Sequence, residues 1–144
     1  MQIDVKKITS EETKTFLKDF FDLMIKSDGV GIAAPQVGVS LQVCIVSEAG
    51  KNHQYLFNPE ITWFSKDTIS LNEGCLSVPN VYGMVVRPKA IHVKAYNEKG
   101  EKIKLKAKGW LSRVIQHEVD HLNGILFIDR AEKLETTSKK SSAL

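Results

Sequence analysis

The stretch Leu111-Ser112-Arg113-Val114-Ile115-Gln116-His117-Glu118-Val119-Asp120-His121-Leu122 decides how this chain is read. Leu111, Val114, Ile115, Val119 and Leu122 recur at helical spacing, which predicts a mostly buried helix over 110–123 with Gly124 as its C-terminal stop. Inside it stands a His-Glu-x-x-His pentad, 117–121. Residues four apart share one helix face, so both imidazoles can reach one metal ion with Glu118 close beside them. A catalytic metal keeps three protein ligands and leaves a position for water or substrate, so a third ligand has to come from elsewhere.

Glu73-Gly74-Cys75-Leu76-Ser77, read as a loop, carries one of only two cysteines. Cys75 would complete a shell with His117 and His121. A thiolate in that shell suits Fe²⁺, Zn²⁺, Co²⁺ or Ni²⁺. Such an ion lowers the pKa of a bound water toward about 7. Glu118 is placed to accept that proton and pass it to a leaving amine. A third stretch, Gly29-Val30-Gly31-Ile32-Ala33-Ala34-Pro35-Gln36, combines small residues that allow close backbone approach with the amide donor of Gln36. A donor aimed at a developing oxyanion is what amide hydrolysis requires. It is no phosphate loop, because it lacks the Lys-Ser/Thr ending.

Outward from these motifs the chain reads as one domain over 1–130. Ser10 is an N-cap, and Phe16, Leu17, Phe20, Phe21, Leu23 and Met24 keep helical spacing until Asp28-Gly29. Strand-like runs are expected at 41–47, 55–58 and 61–71. Ile91, Val93 and Ala95 alternate with polar residues. After the turn Asn97-Glu98-Lys99-Gly100, Ile103, Leu105 and Ala107 alternate with lysines, predicting a hairpin with one dry and one wet face. Trp63 and Phe64 read as core or sheet-face residues, and His53 and His92 as histidines outside any metal site. Strands grouped between two helices give an α+β fold, an antiparallel β-rich scaffold around a central metal-binding helix. Beyond Arg130 the Lys, Ser and Thr content predicts a disordered tail over 131–144.

Composition excludes several classes. Twenty Lys+Arg against 17 Asp+Glu give +3, too weak to argue for nucleic acid, DNA included, and the lysines clustered at 99–108 read as the wet face of a strand. Cys44, inside the apolar run 41–46, reads as a small buried hydrophobe, and two cysteines make no disulfide framework. No stretch is long and apolar enough to span a membrane, so a cytoplasmic protein is expected, or an organellar one if a targeting segment was removed.

Taken together, the three motifs resemble those of the peptide deformylase family: G-φ-G-φ-A-A-x-Q at 29–36, E-G-C-L-S at 73–77 and H-E-φ-D-H at 117–121, with φ apolar. The resemblance covers roughly 15–130 and includes Arg113 to Gln116 before the pentad and Leu122 to Asp129 after it. It implies hydrolysis of the N-terminal formyl group of N-formylmethionyl nascent peptides, releasing formate. It further implies a metal held by Cys75, His117 and His121, natively Fe²⁺ in many relatives, and Glu118 as acid/base. The oxyanion would be met by the metal, the Gln36 amide and the backbone N–H of Leu76. Gly31 would bind the peptide as an added strand, and the methionine side chain would enter a pocket bordered by Val30, Glu73, Trp110, Val114 and His117. Arg87 is expected to pair with Glu73 and hold the cysteine segment.

Some positions depart from the family's pattern. Only about nine residues precede the first helix, so the Pro-x-Leu-Arg type element is absent or trimmed. Trp110 replaces a smaller apolar residue and either narrows the methionine pocket or packs beneath it. Tyr82 falls where some relatives place a peptide-contacting arginine, and the tail lacks the periodicity of a long C-terminal helix. A zincin-like endopeptidase is disfavoured by the Cys75 ligand, and a non-catalytic formyl-peptide binder by the intact Glu118 and Gln36. A monomer with transient ribosome association is the expected state.

Overall fold

A computed structural model describes residues 2–27, 29–48, 51–75, 78–132 and 134–136. Helix α1 spans Glu11–Lys26 and is capped as its sequence predicts: Thr13 N donates to Ser10 Oγ at 3.2 Å, and Glu11 and Glu12 occupy the first turn. Strand β1 (Gly31–Ala33) leads through a short 3-10 turn, Ala34–Val37, to β2 (Val43–Glu48) and β3 (Lys51–Phe64). Next come β4 (Thr68–Cys75), β5 (Val78–Pro88), β6 (Ala90–Tyr96) and β7 (Lys102–Lys108). Helix α2 covers Gly109–Leu122, a one-turn α3 covers Phe127–Arg130, and β8 covers Leu134–Thr136.

Two antiparallel sheets result. The first has the order β1-β2-β3-β6-β7 and the second β4-β5-β8. Each face of the larger sheet packs against a helix, the second face only over part of its width. Ala33, Cys44, Val46, Leu56, Ile91 and Val93 meet Val114, Ile115 and Val119 of α2 on one side. On the other, Ile32, Val43, Ile45 and Phe57 meet Leu17, Phe20 and Met24 of α1. Successive strand residues point to opposite faces, so neighbours such as Cys44 and Ile45 serve different cores. From Ser112 through Leu122 every residue of α2 is buried, which suits a helix wedged between sheets.

The α+β reading holds, as do both helices and the β6–β7 hairpin. Three expectations are corrected. The runs at 55–58 and 61–71 are parts of longer strands: β3 runs unbroken through Pro59, with irregular register beside Glu60 and between Ile61 and Trp63. A bulge accommodates the proline, which has no N–H for the ladder. The chain breaks instead at Ser65–Asp67. Glu73 to Cys75 of the segment expected as a loop form the end of β4, with Glu73 paired to Gly83 and Gly74 to Tyr82, while Leu76 and Ser77 lie outside the described residues. Finally, part of the expected tail, Leu134–Thr136, pairs with β5. Residues 137–144, and Asp28 of the expected helix stop, lie outside the described residues.

Candidate active site

Three elements converge at the centre. β4 delivers Cys75, α2 delivers His117, Glu118 and His121, and β1 with its 3-10 turn delivers Gly31 and Gln36. Cys75 Sγ lies 3.1 Å from His121 Nε2, which lies 3.1 Å from His117 Nε2. All three ligand atoms fall within 4.8 Å of one another and all three residues are buried. Metal–ligand bonds of about 2.0–2.3 Å in a tetrahedron put ligands roughly 3.3–3.8 Å apart. The observed spacing fits one ion with little adjustment. Chemistry agrees, because a sulfur and two imidazole nitrogens turned on a shared point give lone pairs no partner better than a cation. Among the described residues this is the only such group. His53 packs edge-on against Phe21, and His92 lies against Trp63, both apart from it.

Glu118 is wholly buried, and neither of its carboxylate oxygens has a hydrogen-bond partner. Burial pushes its carboxyl well above the usual carboxylate range, and the charge of Arg87 offsets that only in part. An unpartnered buried carboxyl is costly and stands out as a group kept for chemistry. Gly31 makes room for it: a Cβ at 31 would lie 3.0 Å from Glu118 Cγ and Cδ and closer still to Oε2.

Gln36 is held by its own backbone, its Oε1 accepting from Ala33 N at 2.7 Å. That leaves Nε2 directed inward, 3.6 Å from Cys75 Sγ. The amide therefore presents its donor end to the site. β1 is the terminal strand of its sheet, so its outer edge can receive another strand. Of the pocket residues, Val30 is half-buried and Val114 fully buried, and both belong to the same core. Trp110 is half-buried against that core too, which favours packing over obstruction. Tyr82 is buried opposite Gly74 and presents no exposed side chain to a peptide. Leu76 lies outside the described residues, so its N–H is not placed.

Beneath the ligands lies an ionic network. Arg87 Nε donates to Glu73 Oε2 at 2.6 Å and its Nη2 to Oε1 at 2.9 Å. Arg113 Nη1 also donates to Glu73 Oε2. Arg87 Nη1 reaches Asp120 Oδ2 at 2.9 Å, and Arg130 grips Asp120 through Nε at 2.6 Å and Nη2 at 3.0 Å. His117 Nδ1 lies 3.1 Å from Glu73 Oε1, so its Nε2 faces the ligand cluster with a lone pair. Burial alone would raise the Glu73 carboxyl, but the hydrogen bonds from His117 and Arg87 outweigh it and bring it down to about 2. Burial, and then the adjacent His117, push His121 down to about 4, so it stays neutral and able to ligate. Sequence reasoning missed the roles of Arg113, Asp120 and Arg130. Arg113, His117 and Asp120 do repeat at helical spacing on the face opposite the apolar stripe, which is the signal that was available.

The family described as polypeptide deformylase matches residues 2–137. The chain belongs to that family. It is 44% identical over 128 residues to the peptide deformylase of Desulforudis audaxviator, covering 89% of this chain and 82% of that one. The peptide deformylase of Carboxydothermus hydrogenoformans is 46% identical, with 90% and 84% covered. A class I type b peptide deformylase from Acinetobacter baumannii superposes with a TM-score of 0.87 at 40% identity, covering 90% of this chain and 88% of that one. A peptide deformylase from Synechococcus elongatus, solved with actinonin, gives 0.86 at 37% identity, with 92% and 71% covered. The chain is thus a deformylase, a hydrolase removing the N-terminal formyl group from nascent peptides. The family is metal-dependent, and the Cys75–His117–His121 group is where this chain can hold an ion.

Proposed function

We propose that Cys75, His117 and His121 hold the catalytic ion, natively Fe²⁺, with Zn²⁺, Ni²⁺ or Co²⁺ accepted by the same donors. When bound, the ion supplies Lewis acidity, activating water and polarising the formyl oxygen. The observation that carries the reading is Glu118, a buried carboxyl with no partner beside three converged ligand atoms. Its carboxylate takes a proton from the attacking water and returns it to the departing amine nitrogen, so that water and formamide become formate and a free N-terminus. Gln36 Nε2 donates to the oxyanion together with the backbone N–H of Leu76. The peptide adds to the open edge of β1 at Gly31, which aligns the formyl group by main-chain hydrogen bonds. Its methionine side chain enters an apolar recess bordered by Val30, Glu73, Trp110, Val114 and His117. Glu73, with its carboxylate held by Arg87, Arg113 and His117, acts there as a positioning residue.

Residues 1–130 form one catalytic unit in this reading, working as a cytoplasmic monomer in transient contact with the ribosome. Among the described residues no helix is long and apolar enough to cross a membrane. The test is formate release from a short formyl-Met peptide by anaerobically prepared Fe²⁺ protein beside Glu118→Ala. Loss of roughly 10²–10⁴-fold or more at unchanged metal content supports the assignment. Equal rates would remove Glu118 from the chemistry.

A further inference from the structure

The larger sheet has a face that α1 covers only in part. On the uncovered part, antiparallel register lines up Glu60, Lys94 and Lys104 in one row and Trp63, His92 and Lys106 in the next. Tyr96 with Lys102, and Ala90 with Lys108, extend the rows at either end. Lys102, Lys104, Lys106 and Lys108 are all exposed, spaced two residues or about 6.7 Å apart along β7. Five lysines of this face stand against two carboxylates, Glu60, which pairs with Lys94 at 3.3 Å, and Asp4, which lines the groove beside them. No ion pair engages the four lysines of β7 among the described residues. Trp63 is 46% exposed, and its ring lies 4.6 Å from that of His92, tilted by 35°. A groove of about 630 Å³ runs beside them, floored by Tyr96, Lys94 and Lys104 and walled by residues 2–5 of the N-terminal segment.

On this face a ladder of ammonium groups without ion pairs among the described residues runs beside an exposed aromatic pair. Lysines supply charge to this face, and the exposed indole of Trp63 beside His92 supplies a flat apolar surface next to them. The two features match the two needs of a single-stranded nucleic acid, a cationic track for phosphates and a flat platform for a base. We propose that this face binds single-stranded RNA, with Lys102, Lys104, Lys106 and Lys108 along the backbone and a base stacked on Trp63 and His92. A lipid surface fits less well, because Trp63 sits within a flat, charge-laden sheet and not at the tip of an apolar protrusion. The site lies on the sheet face opposite α2, so it is separate from the hydrolytic centre and does not depend on how that centre works.

The test is fluorescence anisotropy of a labelled 12-nucleotide oligo(U) with the metal-loaded full chain. Binding is expected with a log K against log[salt] slope near −3, about 0.7 for each of four phosphates. The double variant K104E/K106E should weaken binding tenfold or more and flatten that slope. W63A should weaken it about tenfold and leave the slope unchanged, since it removes stacking and no charge. Control variant K18E/K26E, with both changes on exposed positions of α1, should bind as the parent does. All of them should hydrolyse a formyl-Met peptide at the parental rate, which reports that they are folded. Absence of binding at low salt would overturn the proposal. Equal losses in the α1 control would reduce it to general charge attraction and overturn it too, as would a preference for vesicles rich in anionic lipid over oligo(U).

Discussion

The Arg87 guanidinium and the Glu73 carboxylate meet edge to edge, Nε to Oε2 at 2.6 Å and Nη2 to Oε1 at 2.9 Å, with both side chains buried. The pair ties β5 to the end of β4 two residues before Cys75, and Glu73 in turn holds His117. A two-point ion pair thereby fixes the orientation of His117 and the position of Cys75, two of the proposed ligands.

Arg87→Ala leaves Glu73 and Asp120 with less compensation in a dry site. The expected cost is about 3–5 kcal/mol, the range for breaking one side of a buried ion pair. Metal affinity should fall by about 10- to 100-fold as the His117 support loosens. Urea unfolding and metal titration check both. Unchanged stability and metal content would show that Arg113 alone suffices.

Gly31→Ala tests the close approach of β1 to Glu118. The added methyl would lie 3.0 Å from Glu118 Cγ and Cδ, so the carboxyl must shift. A displacement near 1 Å costs on the order of 10² in rate. The expected result is that drop in kcat/KM at full metal loading, read by steady-state formate release.

Glu118→Gln should separate activity from stability. The buried carboxyl sits well above its ordinary range, so the folded protein retains a proton there that the unfolded chain releases. Its ionisation therefore costs stability as pH rises above the unfolded value of about 4.5. The metal-free amide variant should unfold at higher urea than the metal-free parent, by about 1–2 kcal/mol, and the metal-loaded variant should lose catalysis. The gap should widen from pH 5 to pH 8. A gap that narrows would contradict the burial argument.

Acid should weaken the metal-free protein in two stages. His121 is held at about 4 against an ordinary 6.5, so only the unfolded chain takes up its proton within that window. Stability is present above 6.5 and lost as pH falls toward 4. Glu73 stays ionised in the fold down to about 2 against 4.5 unfolded, so a second loss follows between those values. On a Glu118→Gln background, which removes the opposing titration of Glu118, the urea midpoint should hold from pH 8 to about 6.5 and fall from there to pH 3. A His121→Gln variant should lack the first stage.

Local signals carried much of this structure. Ser10 with Glu11 and Glu12 marked the start of α1, and the alternation in 91–107 marked a hairpin with a lysine face. The pentad marked α2 because its histidines and its apolar stripe obey the same period. β4 was harder: Gly74 and Cys75 break the strand's alternation, and the pairing of Glu73 with Gly83 depends on a partner ten residues away. Pro59 hid the continuity of β3, since a proline within a strand normally argues against one. The network around Glu73 and Asp120 joins side chains separated by up to 44 positions, and no periodicity encodes such meetings. Arg113 was visible only as neighbouring context, although its guanidinium is among the most deeply buried groups in the chain.

The burial of α2 from Ser112 to Leu122 bears on how the site fails. Amide protons of a helix enclosed on every side exchange only through the highest-energy openings of a protein, whereas frayed ends and surface strands exchange locally. Two of the proposed ligands, His117 and His121, and the proposed general base Glu118 sit on that helix, so they belong to the last cooperative unit to come apart. The backbone amides of His117 and His121 should therefore be among the slowest in the protein to take up deuterium.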